Sequence, residues 1–174
     1  MQLKDAIALL ENTHIRSSAP TKWADLGCGD GLFTKALASY QSPGSVIYAM
    51  DTNQTSLNRL TDVKEVSIKT SCQDFVQDEW PFDIVDGILM ANSIHYVKDK
   101  PAFLDKASRH LTQSGSFLLV EYNSDTANPW VPYPLSYNSL RQLFTSAGYS
   151  IVEKLHERPS IYGRATMYSA YISR

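Results

Sequence analysis

In the segment WADLGCGDG, residues 23–31, glycine takes three alternate positions directly after a short apolar run that contains one acid, Asp25. Glycine in regular structure is about 0.5–1 kcal/mol less favourable than alanine, so Gly27, Gly29 and Gly31 need a common reason to sit together. Two more acids follow at intervals, Asp51 at the end of SVIYAMD and Asp74 within SCQDF. Backbone without side chains, followed by a carboxylate that can accept two hydroxyl protons, is the chemistry of nucleoside binding, with the carboxylate on the ribose diol. A dinucleotide fingerprint would need glycine at position 32, where this chain has Leu32, and no Gly-Lys-Ser/Thr follows to make a phosphate-binding P-loop.

The elements that must position these residues follow from periodicity. Leu3, Ala6, Ile7 and Leu10 recur at helical spacing, which predicts an amphipathic helix over 3–12. KWADL (22–26) reads as a strand ending at the glycine turn, and LFTKALASY as the helix after it. SVIYAMD (45–51) is a second buried strand, followed by a polar-faced helix in NQTSLNRLTDV. VSIKT is a third strand and DIVDGILMA (83–91) a strongly apolar fourth. After the NSIHYVKD loop, Pro101 is placed to begin a helix. TQSGS reads as a turn, FLLVEY (117–122) as a fifth buried strand, and SYNSLRQLFTSAG as a helix closed by Gly148. Apolar strands alternating with helices predict an α/β, doubly wound, mostly parallel sheet covered on both faces. The last two strands, YSIVEKLHE and ATMYSAYIS, are joined too briefly to be parallel and must form an antiparallel hairpin.

Composition bounds the rest. At 174 residues the chain reads as a single domain, 1–174. No run of 18 apolar residues and no secretory leader pattern occurs, so a cytoplasmic protein without a membrane partner is expected. Cys28 and Cys72 form neither a disulfide framework nor a metal-ligand cluster, and no metal is expected. A net charge of -2 disfavours nucleic acid as a partner.

The run D-L-G-C-G-D-G, with Asp51 after the next strand, resembles motif I of the class I S-adenosylmethionine-dependent methyltransferases. The likeness extends in element order from Lys22 to the C-terminus. It implies a Rossmann-like, seven-stranded sheet ending in an antiparallel hairpin, with a cofactor-binding half over 22–97 and substrate-side elements over 117–174. The cofactor would be S-adenosyl-L-methionine, leaving as S-adenosyl-L-homocysteine. By the same resemblance Asp25 would orient the glycine turn and the methionine ammonium, directly or through water. Gly27 and Gly29 would bring backbone to the methionine part and the ribose, and Asp51 would hold the ribose diol. Asp74 and Phe75 would bind the adenine amino group and ring, and Asn92 would lie where the chain closes over the sulfonium. Cys28 and Thr52 complete the expected cofactor set, the small Cys28 side chain being tolerated between glycines, with no neighbouring base to activate it.

Methyl transfer is an in-line displacement that mainly requires alignment and exclusion of water, and a base only when the nucleophile is a hydroxyl or protonated amine. His95, in the loop after the fourth strand, and Tyr122, at the end of the fifth, are the expected catalytic pair. Trp130 and Tyr133, in the proline-aromatic loop NPWVPYP, together with Arg158 and Arg164 between the last two strands, are the expected substrate contacts. They suggest an aromatic-walled pocket for a small molecule, with an anionic group facing an arginine. The expected reaction is methyl transfer to an O, N or C nucleophile of a small molecule, and a homodimer is compatible with so small a chain. The alternatives are an RNA or protein methyltransferase, against which ANSIHY stands in place of the acceptor motif (D/N)PP(Y/F), and a non-catalytic cofactor-binding module.

Overall fold

The computed structural model describes residues 1–159 and 166–174. Its elements are α1 (Leu3–Leu10), β1 (Lys22–Leu26), α2 (Leu32–Ala38), β2 (Val46–Asp51), α3 (Gln54–Leu57), β3 (Ser67–Cys72), β4 (Val85–Ala91), α4 (Lys100–Arg109), β5 (Leu111–Tyr122), α5 (Tyr137–Ser146), β6 (Ile151–Pro159) and β7 (Thr166–Ser173). The strands make one seven-stranded sheet in the order β3-β2-β1-β4-β5-β7-β6. The pairs from β3 through β5 are parallel, whereas β7 runs antiparallel to both β5 and β6. This is the doubly wound sheet with a terminal hairpin that the sequence predicts.

Alternation of side chains along each strand divides the core in two. Ala24 and Leu26 of β1 face a layer holding Phe103 and Leu104 of α4 and Leu140 and Phe144 of α5. Trp23 faces the other layer, with Ala6, Leu9 and Leu10 of α1 and Ala36 and Leu37 of α2. With both faces covered, ligands are left the edge where the parallel strands end. Asn53, Asp99 and Ser136 each accept a backbone N–H from the first turn of α3, α4 and α5, which sets where those helices begin.

Three boundaries depart from the pattern. The first helix stops at Leu10 instead of 12, because the Asn12 side chain donates to the Leu10 carbonyl and accepts from the His14 and Ile15 N–H groups, turning the chain. The helix expected in NQTSLNRLTDV is one turn, Gln54–Leu57. TQSGS is strand instead of turn: β5 already pairs Leu111 with Val85, and the irregularity is absorbed as a register shift between Val85 and Gly87. No helix among the described residues is long and apolar enough to cross a membrane.

A Cβ on Gly87 would lie 2.3 to 2.6 Å from three ring carbons of Trp23, a rigid side chain only 4% exposed. Gly87→Ala should therefore destabilise the fold by about 1–3 kcal/mol through overpacking, measured as a lower denaturant midpoint at unchanged slope.

Candidate active site

The glycine turn is gripped from two neighbouring strands. The N–H groups of Gly27 and Cys28 both donate to the Met50 carbonyl, at 2.8 and 2.9 Å, and Gly29 N–H donates to Asp51 Oδ2 at 2.8 Å. From the other side, Ser93 Oγ donates to the Leu26 carbonyl at 2.5 Å. Gly27 adopts φ +80°, and a Cβ there would sit 2.5 Å from Ser93 Cβ, so the position admits no side chain. At Gly29, with φ +53°, a Cβ would meet nothing within 4 Å; here the need is the left-handed backbone.

Beyond the ends of β1, β2 and β4 lies a cavity of about 450 Å³, lined jointly by Gly27, Asp51, Thr52, Asp74, Phe75 and Asn92 of the expected cofactor set. Asp51 spans two turns, since its Oδ1 accepts from Asn53 N–H at 2.9 Å while Oδ2 holds Gly29. Asp74 Oδ1 accepts from Val76 and Gln77 N–H, and Lys106 Nζ donates to the Phe75 and Asp78 carbonyls, which pins this wall to α4. Asn92 takes a left-handed φ of 55°, and its N–H donates to the Val120 carbonyl. Ser93, Tyr96, Val76 and Gln77 also line the cavity and were not singled out beforehand; their place beside Asn92 and Phe75 in the chain was the available signal.

The other expected cofactor residues lie off this wall. The Cys28 side chain packs with Ala49 and Leu57, and burial, with Asp25 adding to it, pushes its thiol pKa far up. Asp25 is fully buried: Thr34 Oγ1 donates to its Oδ2 at 2.6 Å, and Oδ1 has no hydrogen-bond partner among the described residues. Burial raises its pKa to about 7, the Thr34 bond opposing and the Asp51 charge reinforcing.

Asn92 also belongs to a second cavity, of about 410 Å³, walled by Tyr122, Arg158, Asp5 of α1, and the apolar Leu32, Phe33 and Met167. Arg158 stands within β6, opposite Met167, and not in the connection after it. Trp130 is 78% exposed and Tyr133 38%; neither lines either cavity, and Asn128 Oδ1 turns their loop by accepting from the Trp130 and Val131 N–H groups. Arg164 lies outside the described residues.

His95 is 2% exposed and lines neither cavity. Its Nδ1 lies 2.8 Å from Glu121 Oε2, while Oε1 of the same carboxylate accepts from Tyr122 N–H at 2.8 Å. A carboxylate acceptor places a proton on Nδ1. The ring packs 4.4 Å from that of Tyr96, a residue of the first cavity wall. Glu121 was missed; a lone acid in the most apolar strand was its only trace. Lys100 is buried, its Nζ donating to the Val97 and Tyr133 carbonyls at 2.9 and 2.8 Å. Tyr133 N–H in turn donates to the His95 carbonyl. Burial lowers the Lys100 pKa, with Glu121 pulling the other way.

Residues 2–154 match a family defined as a methyltransferase domain. The chain belongs to that methyltransferase family. The class I S-adenosylmethionine-dependent enzyme expected from the motifs is thereby borne out, cofactor included. Among curated protein sequences none matches this methyltransferase significantly. Its fold is similar to a putative S-adenosylmethionine-dependent methyltransferase from Listeria monocytogenes (16% identity, 99% of this chain and 95% of that one, TM-score 0.68). It is also similar to the magnesium protoporphyrin IX methyltransferase of Synechocystis (13%, 99% and 78%, TM-score 0.68). The [4+2]-cyclase SpnF shares the fold too (13%, 99% and 81%, TM-score 0.76).

The methyltransferase's residues fit S-adenosylmethionine. The first cavity falls within the usual range for small-molecule sites, about 300–1,000 Å³. Gly27, which has no room for a Cβ against Ser93, presents bare backbone to the cavity, the acids Asp51 and Asp74 suit a cationic ligand, and Asp25 Oδ1 has no partner among the described residues.

Two predictions follow from the buried charges. With its pKa raised by folding, Asp25 binds its proton more tightly in the native state, so ligand-free stability should fall as pH rises from about 4 to about 7. Asp25→Asn should remove that slope, gaining on the order of 4 kcal/mol relative to wild type at pH 8, read from denaturation at pH 5 and 8. Lys100→Met should cost about 1–3 kcal/mol by stranding two carbonyls and should accelerate hydrogen exchange at the Tyr133 amide.

Proposed function

We propose that this methyltransferase moves the methyl group of S-adenosylmethionine to an O, N or C nucleophile of a small molecule seated in the second cavity. The observation that carries the reading is that the two cavities adjoin at Asn92, one walled by the expected nucleoside-binding acids and the other by apolar side chains. A cavity of about 410 Å³ suits a compact acceptor.

When bound, the cofactor supplies an electrophilic methyl with a neutral thioether as leaving group, and S-adenosylhomocysteine is the product. Asp51, held by the Gly29 and Asn53 N–H groups, is oriented to accept the ribose hydroxyls. Asp74, with Oδ1 committed to its own turn, offers Oδ2 to the adenine amino group while Phe75 packs on the ring. Asp25 acts from beneath the turn, through Oδ1, on the methionine ammonium. Tyr122 lines the acceptor cavity and is the catalytic residue of this reading, contacting the nucleophile. His95 acts through its neighbours as a positioning residue: Glu121 fixes a proton on Nδ1, and its ring supports Tyr96. Alignment of nucleophile and methyl between these walls can supply roughly 7–11 kcal/mol of barrier lowering.

Asp51→Ala should weaken S-adenosylhomocysteine binding about 10- to 100-fold, the worth of a charge-assisted hydrogen bond, measured by calorimetry. Incubation of wild type with methyl-labelled cofactor and a metabolite extract should move label into a small-molecule fraction; tight binding without transfer would leave a binding module instead of an enzyme.

A further inference from the structure

The second cavity has one charged feature among its described side chains. Asp5 Oδ1, near the start of α1, lies 3.5 Å from Arg158 Nη1 in β6, and the two side chains are 29% and 33% exposed. Backbone N–H donation from Gln2 to Asp5 Oδ2, with the guanidinium beside it, holds the Asp5 carboxyl below its ordinary pKa, so the pair stays ionised. An arginine alone on this wall would favour an anion, as its sequence position suggested. With Asp5 beside it, an anionic group drawn to the guanidinium meets a carboxylate, and a cationic group drawn to Asp5 meets the guanidinium.

The spacing matters as much as the sign. At 3.5 Å the pair is longer than the about 2.7–2.9 Å of a closed charge-assisted hydrogen bond. Arginine carries five N–H donors in a fixed fork, and among the described residues Asp5 is the one ion-pair partner of Arg158. A group that accepts and donates along one edge satisfies both residues without separating them, and a carboxamide or ring lactam is such a group. Leu32, Phe33 and Met167 on the rest of the wall call for an apolar body behind that edge.

We propose that the Asp5–Arg158 pair selects a methyl acceptor that is uncharged and presents an amide-like donor–acceptor edge on an apolar, ring-sized body. The proposal rests on the reading of this cavity as the acceptor site.

The test uses S-adenosylhomocysteine-saturated protein titrated with three probes of one shape, benzamide, benzoate and benzylamine, followed by protein NMR with shifts at Asn92 and Met167 marking occupancy of the cavity. Benzamide should bind wild type at least about tenfold more tightly than either charged probe, a difference of about 1.4 kcal/mol. Asp5→Asn should bring benzoate to the fore and Arg158→Gln benzylamine, while the double variant should restore benzamide. Probes that shift Asn92 and Met167 but keep the same order in all four proteins would overturn the selection while leaving the acceptor site standing. Probes that shift neither residue in the cofactor-saturated protein would remove the acceptor site, and the proposal with it.

Discussion

The site depends on a close approach of three strand ends. Leu26, Met50 and Ser93 converge on Gly27 so tightly that its α-carbon carries no substituent, and the hydrogen bonds from Gly27, Cys28 and Ser93 lock the seam. Because that seam is continuous, the loops after β1, β2 and β4 open on one floor, and Asp51 and Asn92 reach the same cavity from different crossovers. A parallel sheet makes this economical, since every strand delivers its following loop to the same edge.

Charge is distributed unevenly across that floor. The cofactor side is acidic, with Asp51 and Asp74 on the wall and Asp25 buried below, where desolvation works against its ionised form. A cationic ligand supplies the compensation that the protein itself withholds. The second cavity pairs Asp5 with Arg158, and in the interior Glu121 bonds His95 and attracts the buried Lys100 ammonium. Lys100 belongs to the first turn of α4, where the helix dipole disfavours a cation; the carbonyls of Val97 and Tyr133 and the nearby Glu121 hold it there nonetheless.

The cofactor half was legible in the sequence because its signals are local. A glycine turn, an acid at the end of the next strand and an acid-aromatic pair after the third each announce themselves within a few residues, and six of the nine expected cofactor contacts share one wall. Of the second cavity only part was legible: Tyr122 and Arg158 stood out in the sequence, whereas Asp5, Phe33 and Met167 join them only through the order of strands and the docking of α1. Burial leaves no local trace either: His95 and Lys100 are polar side chains in a loop and a helix start, positions that ordinarily face water, and only three-dimensional packing shows their carboxylate and carbonyl partners. Trp130 shows the opposite, a large aromatic in a proline loop that stays 78% exposed.

The reversed direction of β7 has a structural corollary. Since it runs against both neighbours, β6 ends and β7 begins on the same rim as the cofactor, bringing Arg158 and Met167 side by side. Residues joining them can lengthen, shorten or be replaced without threading another strand through the sheet. A change of length there leaves undisturbed the parallel strands that carry the glycine turn and Asp51.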